Sequence, residues 1–190
     1  MKEFILASVS PRRSAILKQL GLTFRVVPST VEEFGLQGSP RLWPRLYAEM
    51  KAKEVSARYP EAIVLGCDTL VFSDGLPLGK PQNKEEAYAM LENLNGRAHQ
   101  VLSGIAFAYG GEVLRSGIEE TEVFFRKNTP QELLDYVNSL EPMDKAGAYG
   151  IQGRGASLVK SINGCYYNVV GLPVALMLEM FKEVENSLCQ

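Results

Sequence analysis

Hydrophobic positions along the chain alternate between continuous runs and helical stripes. Ile5–Ala7 is a short apolar run that predicts a buried strand; Ser10-Pro11 then supplies an N-cap residue and a proline suited to a first helical turn. The helix opened there carries Ile16, Leu17 and Leu20 as an apolar stripe and stops at Gly21. "TFRVVPS" predicts a second strand and "RLYAEMKAKEVSARY" a helix ending before Pro60. "AIVLGCD" is almost unbroken in apolar residues, the pattern of a central strand covered on both faces, with Asp68 and Thr69 at its end. "KEEAYAMLENLNG" predicts a helix capped by Asn83 and stopped at Asn95-Gly96.

On either side of Gly110-Gly111, "HQVLSGIAFAY" and "EVLRSGIEETEVFFR" predict a long hairpin. Thr129, Pro130 and Glu132 stand in capping-box positions for the helix "TPQELLDYVNSL". A Gly-rich loop, "EPMDKAGAYGIQGRGA", leads to a strand "SLVKSI", an Asn163-Gly164 turn, the segment "CYYNVV" and a final helix from about Pro173. Strands interleaved with helices predict an α/β fold, its central sheet mixed because the hairpin must pair antiparallel. No repeat or linker interrupts the chain, so one domain over residues 1–190 is expected.

Composition narrows the function classes. At 190 residues and 46% hydrophobic content the chain can build one substantial core. A net charge of −2 and a pI near 5.6 argue against general affinity for nucleic acid or an anionic membrane, so any phosphate site must be local. Cys67, Cys165 and Cys189 are odd in number and lack CxxC spacing, which disfavours disulfides and zinc and predicts a reducing, cytoplasmic setting. The apolar run before Ser8 is too short for a signal peptide, and nothing reaches transmembrane length.

His99 is the only histidine and has no acid near it in sequence, which predicts a structural role. "GLPLGKP" fails as a phosphate loop, because Gly75 and Gly79 are one residue too close and Pro81 stands where Ser or Thr would hold Mg²⁺. What remains is a set of polar residues where apolar elements end. Arg12 and Arg13 open the first helix, where the dipole disfavours each cation by about 0.3–1 kcal/mol. An anion there reverses the sign, since guanidinium groups and backbone N–H groups then act on one phosphate. Glu32 and Glu33 follow the second strand, Asp68 and Thr69 the third, and Lys80 lies between Gly79 and Pro81. A carboxylate beside polyphosphate calls for a divalent cation between them. Taken alone, Lys51 and Lys53 read as the polar face of a helix.

"LASVSPRR", "GCDTLV", "LGKPQ", "EPMDKAGAYGIQGRGA" and "YYNVVGLP" resemble, in order and spacing, the Maf family of nucleoside triphosphate pyrophosphatases. The resemblance implies a two-lobed α/β fold with an active-site cleft, related to the inosine triphosphate pyrophosphatases. It further implies metal-dependent hydrolysis between the α and β phosphates, Mg²⁺ or Mn²⁺ being the expected cofactor, and a role in clearing the nucleotide pool. By the same resemblance Asp68 matches the catalytic base; Ser8, Arg12 and Arg13 match the phosphate-binding signature; Glu33, Lys51 and Lys80 match the other charged cleft positions. Arg12, Thr69 and Gln152 match positions linked to substrate choice, and the loop resembles that of the branch favouring dTTP and UTP, with modified pyrimidine nucleotides as further expected candidates. Asp68 and Glu33 are the expected metal ligands, although Glu32, standing where the family often has Asp, leaves open which acid reaches the metal. Gly150, Gly153 and Gly155 would let backbone approach a ligand and leave the Gln152 amide as the local polar reader.

The expected partner is a nucleoside triphosphate, with neither nucleic acid nor membrane, and homodimers are usual in the family. One rival reading is a nucleotide-binding regulator of cell division that does not turn its ligand over, and release of pyrophosphate separates the two. The other is a nucleic-acid binder using the same cations, disfavoured by the acidic pI.

Overall fold

The computed structural model describes residues 2–33 and 35–189; Met1, Phe34 and Gln190, which fall within the expected 1–190 domain, lie outside the described residues. Strand β1 (Phe4–Leu6) leads into helix α1 (Pro11–Gln19), strand β2 (Arg25–Val26), helix α2 (Trp43–Arg58) and the long strand β3 (Ile63–Ser73). Strand β4 (Leu76–Leu78), helix α3 (Lys84–Leu94), strands β5 (Ala98–Tyr109) and β6 (Glu112–Phe125) and helix α4 (Pro130–Asn138) follow. Strand β7 (Val159–Asn163) and helices α5 (Tyr166–Val170) and α6 (Val174–Leu188) complete the chain. The sheet runs β2-β1-β3-β5-β6-β7, with β4 paired to β3. β1 is parallel to β2 and β3, whereas β3–β4 and β6–β7 are antiparallel, so the expected mixed sheet is observed.

Three readings of the sequence need correction. Asp68 and Thr69 do not end their strand: β3 continues through Leu70–Ser73, and Val71–Ser73 pair with Leu76–Leu78 across a turn whose Asp74 and Gly75 both have positive φ. An Asp inside an apolar run looks like a terminus until its tertiary partner is known. β2 is two exposed residues rather than all of "TFRVVPS", because it is an edge strand with Pro28 just beyond it. Leu20 is not part of a buried stripe; it caps α1 and is partly exposed, leaving Ile16 and Leu17 to face the core. "CYYNVV" forms the one-turn helix α5, and the Gly-rich loop contains 3-10 turns at Glu141–Asp144, Ala146–Ala148 and Gly153–Leu158. Asn83 caps α3 by accepting the Glu86 N–H at 2.8 Å, and the Thr129–Glu132 capping box starts α4, both as their sequence signatures dictate.

The described residues divide into two compact units. One contains residues 1–68, 103–119 and 171–190, the other 69–102 and 120–170. The core of the second packs Ala87, Leu91 and Leu94 of α3 and Leu133, Tyr136 and Val137 of α4 with Val101, Val123 and Phe125 of the sheet. Also buried there is His99, whose Nε2 lies 2.7 Å from the Tyr149 hydroxyl between the Phe125 and Tyr149 rings. Burial holds its imidazole down to about 4, so it stays neutral at physiological pH and structural in role. No helix among the described residues is long and apolar enough to cross a membrane.

In the first unit α2 lies directly on the sheet. Ala48, Ala52 and Val55 of the helix pack with Val64 of β3 and Ala106 and Ala108 of β5, small side chains that allow close approach. At two points there is no room for any side chain. A Cβ on Gly66 would stand 2.1 Å from the Ala48 carbonyl oxygen, and one on Gly104 2.1 Å from the Pro44 carbonyl carbon. Backbone cannot yield as a flexible side chain can. Gly66→Ala is therefore expected to exceed the about 1–3 kcal/mol of ordinary overpacking. Gly79→Ala, where a Cβ meets nothing within 4 Å, should stay within about 0.5 kcal/mol. Urea denaturation of the two variants checks the contrast, and equal effects would contradict it.

Candidate active site

Asp68 follows Gly66 by two residues and so faces the same side of the sheet, toward α2. On α2 the buried positions Tyr47, Ala48, Lys51, Ala52 and Val55 recur at helical spacing, which places a lysine inside the apolar stripe. Lys51 is therefore not on the polar face; Lys53 is, exposed and paired with Glu112. Lys51 Nζ donates to Asp68 Oδ1 at 2.7 Å and to Glu33 Oε1 at 2.5 Å. Side-chain exposure falls from 48% at Glu33 to 11% at Lys51 and 8% at Asp68, so Asp68 is innermost. Burial pushes the Asp68 carboxyl above its usual range, the Lys51 ammonium works against that rise, and Glu33 adds to it. Asp68 Oδ2 is buried and has no hydrogen-bond partner among the described residues. Glu33, not Glu32, is the acid in this group.

Sequence reading passed over Tyr47. Buried one turn before Lys51, its phenol is pushed up first by burial and then by the charges of Asp68 and Glu33, so it borders the same carboxylates. The available signal was its place in the stripe, four residues from Lys51.

The puzzle of two arginines at a helix N-terminus has a partial answer inside the protein. Arg13 reaches out of α1: Nε donates to the Gly171 carbonyl at 2.8 Å, and Nη1 donates to Ser8 Oγ at 3.0 Å and to the Cys67 carbonyl at 3.1 Å. These acceptors offset the unfavourable dipole and tie the loop after β1 to the residue preceding Asp68. Ser8 is buried, and its Oγ also accepts the Ser10 N–H at 3.3 Å. Ser10 occupies the N-cap position but makes no side-chain cap bond. Arg12, half-buried, stands beside Arg13 in the first turn. Burial pushes the Cys67 thiol up to about 11, which keeps it protonated and unreactive.

Thr69, Lys80 and Gln152 belong to the second unit. Thr69 is half-buried on β3. Lys80 is exposed in the loop after β4, where the Gly147 N–H donates to the Gly79 carbonyl at 3.0 Å. Gly147 has φ +66°, and a Cβ there would meet Val71 Cγ1 at 2.9 Å, so the segment seats flat on β3. Gln152 is exposed at the start of the turn Gly153–Leu158. The glycines around it also sit close against the protein. A Cβ on Gly150 would meet Lys145 Cε at 2.7 Å, on Gly153 the Glu141 Oε2 at 2.9 Å, and on Gly155 the Gly150 carbonyl oxygen at 2.2 Å. At all three the space a Cβ would need is filled by protein atoms.

The family model described as "Maf-like protein" matches residues 3–184. The chain belongs to the Maf family. A dTTP/UTP pyrophosphatase of Symbiobacterium thermophilum is 50% identical over 184 residues, covering 96% of this Maf chain and 94% of that relative. Relatives of the same name from Geobacillus sp. and Aquifex aeolicus are 46% and 42% identical, and the alignments cover 97% and 95% of this chain and 99% and 94% of theirs. The solved structure of a HAM1 protein from Coxiella burnetii superposes with a TM-score of 0.53 over 96% of this chain and 100% of that one; at 18% identity it shares the fold.

Within the Maf chain, Asp68 and Glu33 offer oxygen donors of the kind hard cations such as Mg²⁺ or Mn²⁺ take. No three His, Cys, Asp or Glu residues converge as a metal cage among the described residues. Carboxylates together with phosphate oxygens are a donor set that suits Mg²⁺, and Asp68 Oδ2, without a hydrogen-bond partner among the described residues, would be one oxygen of that kind.

Lys51→Met tests the pairing. The variant leaves Asp68 buried without its cation, a loss of about 3–5 kcal/mol when that carboxylate is ionised. The folded-state value then rises further above the unfolded one, so stability falls as pH rises between the two and recovers toward acid, where Asp68 is protonated. Thermal denaturation in metal-free buffer should show a larger deficit at pH 7.5 than at about pH 5. An equal deficit at both would mean that Lys51 contributes packing alone.

Proposed function

We propose that this protein is a divalent-metal-dependent nucleoside triphosphate pyrophosphatase that hydrolyses dTTP and UTP to the monophosphate and pyrophosphate, a reaction suited to clearing the nucleotide pool. The observation that carries the proposal is the buried carboxylate of Asp68, with Oδ1 held by Lys51 and Oδ2 without a hydrogen-bond partner among the described residues. Support comes from membership of the Maf family and from relatives named dTTP/UTP pyrophosphatase along nearly their whole length.

Attack on an α-phosphorus requires a group that accepts the proton of water, and positive charge over the developing negative oxygens. Asp68 Oδ2 is the acceptor: burial makes the carboxylate more basic than an exposed one, and Lys51 fixes the other oxygen. A divalent cation held by Asp68 and Glu33 would supply charge against the phosphate oxygens and activate water. Arg12 and Lys80 add positive charge for the triphosphate, and Arg13 holds Ser8 and the backbone before Asp68 in place. The Gln152 amide, donor and acceptor at once, matches the alternating carbonyl and N–H edge of uracil or thymine, with Thr69 as a second contributor to substrate choice.

Pyrophosphate release from dTTP, UTP, CTP, ATP and GTP, measured with Mg²⁺ or Mn²⁺ and after removal of metal, tests the reading. Activity is expected on dTTP and UTP well above the others, and none without metal. Asp68→Asn should fall by more than about 100-fold, within the usual reach of a lost general base, while the fold survives. Tight nucleotide binding without pyrophosphate release would instead identify a binding regulator, and a preference for GTP would overturn the pyrimidine assignment.

A further inference from the structure

The backbone around Gln152 is held by an acid and a phenol that take no part in the site described above. Leu140, with φ +63°, turns the chain out of α4 and delivers Glu141 beneath the Gly-rich segment. Glu141 Oε2 accepts the Arg154 N–H at 3.0 Å, and Oε1 accepts the Gly155 N–H at 3.1 Å. Tyr136 of α4 donates its hydroxyl to Glu141 Oε1 at 3.2 Å and accepts the Gly150 N–H on the same oxygen at 3.2 Å. Gln152 thus lies between two fixed points, residue 150 on one side and residues 154–155 on the other, tied to one acid–phenol pair.

The steric complement is equally specific. The positions nearest this pair are the glycines whose Cβ atoms would strike Glu141 Oε2 or, from Gly155, Tyr136 Oη at 2.7 Å. Tyr136 is itself anchored in the apolar core of its unit, and burial keeps its phenol protonated and therefore a donor. A carboxylate on successive N–H groups at the start of a helical turn makes charge-assisted bonds to groups that otherwise lack partners. Gln152 has an exposed, flexible side chain. The position of its amide is therefore set by backbone that Glu141 and Tyr136 hold.

We propose that Glu141 is a positioning residue for base selection, fixing through Tyr136 and the 150–155 backbone where the Gln152 amide meets a pyrimidine. The proposal rests on the reading of Gln152 as the base reader. Glu141→Gln replaces one acceptor oxygen by an NH₂ group facing backbone donors, and so breaks the latch with little change in volume.

The test measures kcat and KM for UTP and CTP in wild type, Glu141→Gln and Gln152→Ala, with thermal denaturation and amide hydrogen exchange of Arg154 and Gly155. Loss of the latch is expected to cut the UTP-over-CTP preference about tenfold, a fraction of what a matched polar site provides, chiefly through a higher KM for UTP. In the same variant kcat on CTP should stay near wild type, and exchange at Arg154 and Gly155 should quicken. A folded Glu141→Gln protein with undiminished preference, or with kcat lowered equally on both nucleotides, overturns the proposal. Should wild type lack the preference, or Gln152→Ala retain it, the base-reader reading fails and the proposal with it, an outcome distinct from a Glu141→Gln result alone.

Discussion

Two glycines in neighbouring strands decide how closely α2 can approach the sheet, and the contact between Lys51 and Asp68 depends on that distance. Gly66 and Gly104 present bare backbone to the helix, and alanines on both sides continue the seam. A lysine side chain is long, but it gives a fixed charge contact only when its backbone is held. Seated directly on β3, α2 delivers Lys51 to Asp68 from the same turn, Ala48 to Ala52, that meets Gly66, and the strand period turns Asp68 to the same face. Packing and chemistry share one interface.

That closeness has an electrostatic consequence. A carboxylate removed from water is costly unless paired, and a pair removed from water recovers the loss only with good geometry. Lys51 satisfies Asp68 Oδ1 and draws in Glu33 at the exposed end, giving a gradient from solvent to interior. Oδ2 is the atom of Asp68 that no described residue satisfies. Buried polar atoms are ordinarily partnered, and Oδ2 is one of several among the described residues that are not.

Arg13 and Glu141 follow a common logic in different places. Each is a charged residue whose partners include backbone: Arg13 binds the carbonyls of Cys67 and Gly171, and Glu141 the N–H groups of Arg154 and Gly155. Charge-assisted bonds to backbone hold irregular segments where neither helix nor strand can. Asp68 and Lys51 lie within regular elements, whereas Ser8 and Gln152 lie on segments of this irregular kind.

The sequence by itself determined the elements and their class. Capping residues at Asn83 and Thr129, glycine stops and apolar periodicity are local physics, and a helix or turn forms where its own residues favour it. Five ordered motifs also contained Ser8, Arg12, Arg13, Asp68, Thr69, Lys80 and Gln152 among the candidate residues. What tertiary structure alone decided was partnership: that Asp68 lies inside a strand rather than at its end, that Lys51 belongs to a buried stripe, that Arg13 grips carbonyls, and that the loop glycines make room for Glu141, Tyr136 and Lys145. Each of these depends on which atoms from distant parts of the chain come within a few ångströms. Residue type fixes a side chain's length and charge but not what stands opposite it, and a glycine reads the same whether the space beside it holds a ligand or another part of the protein.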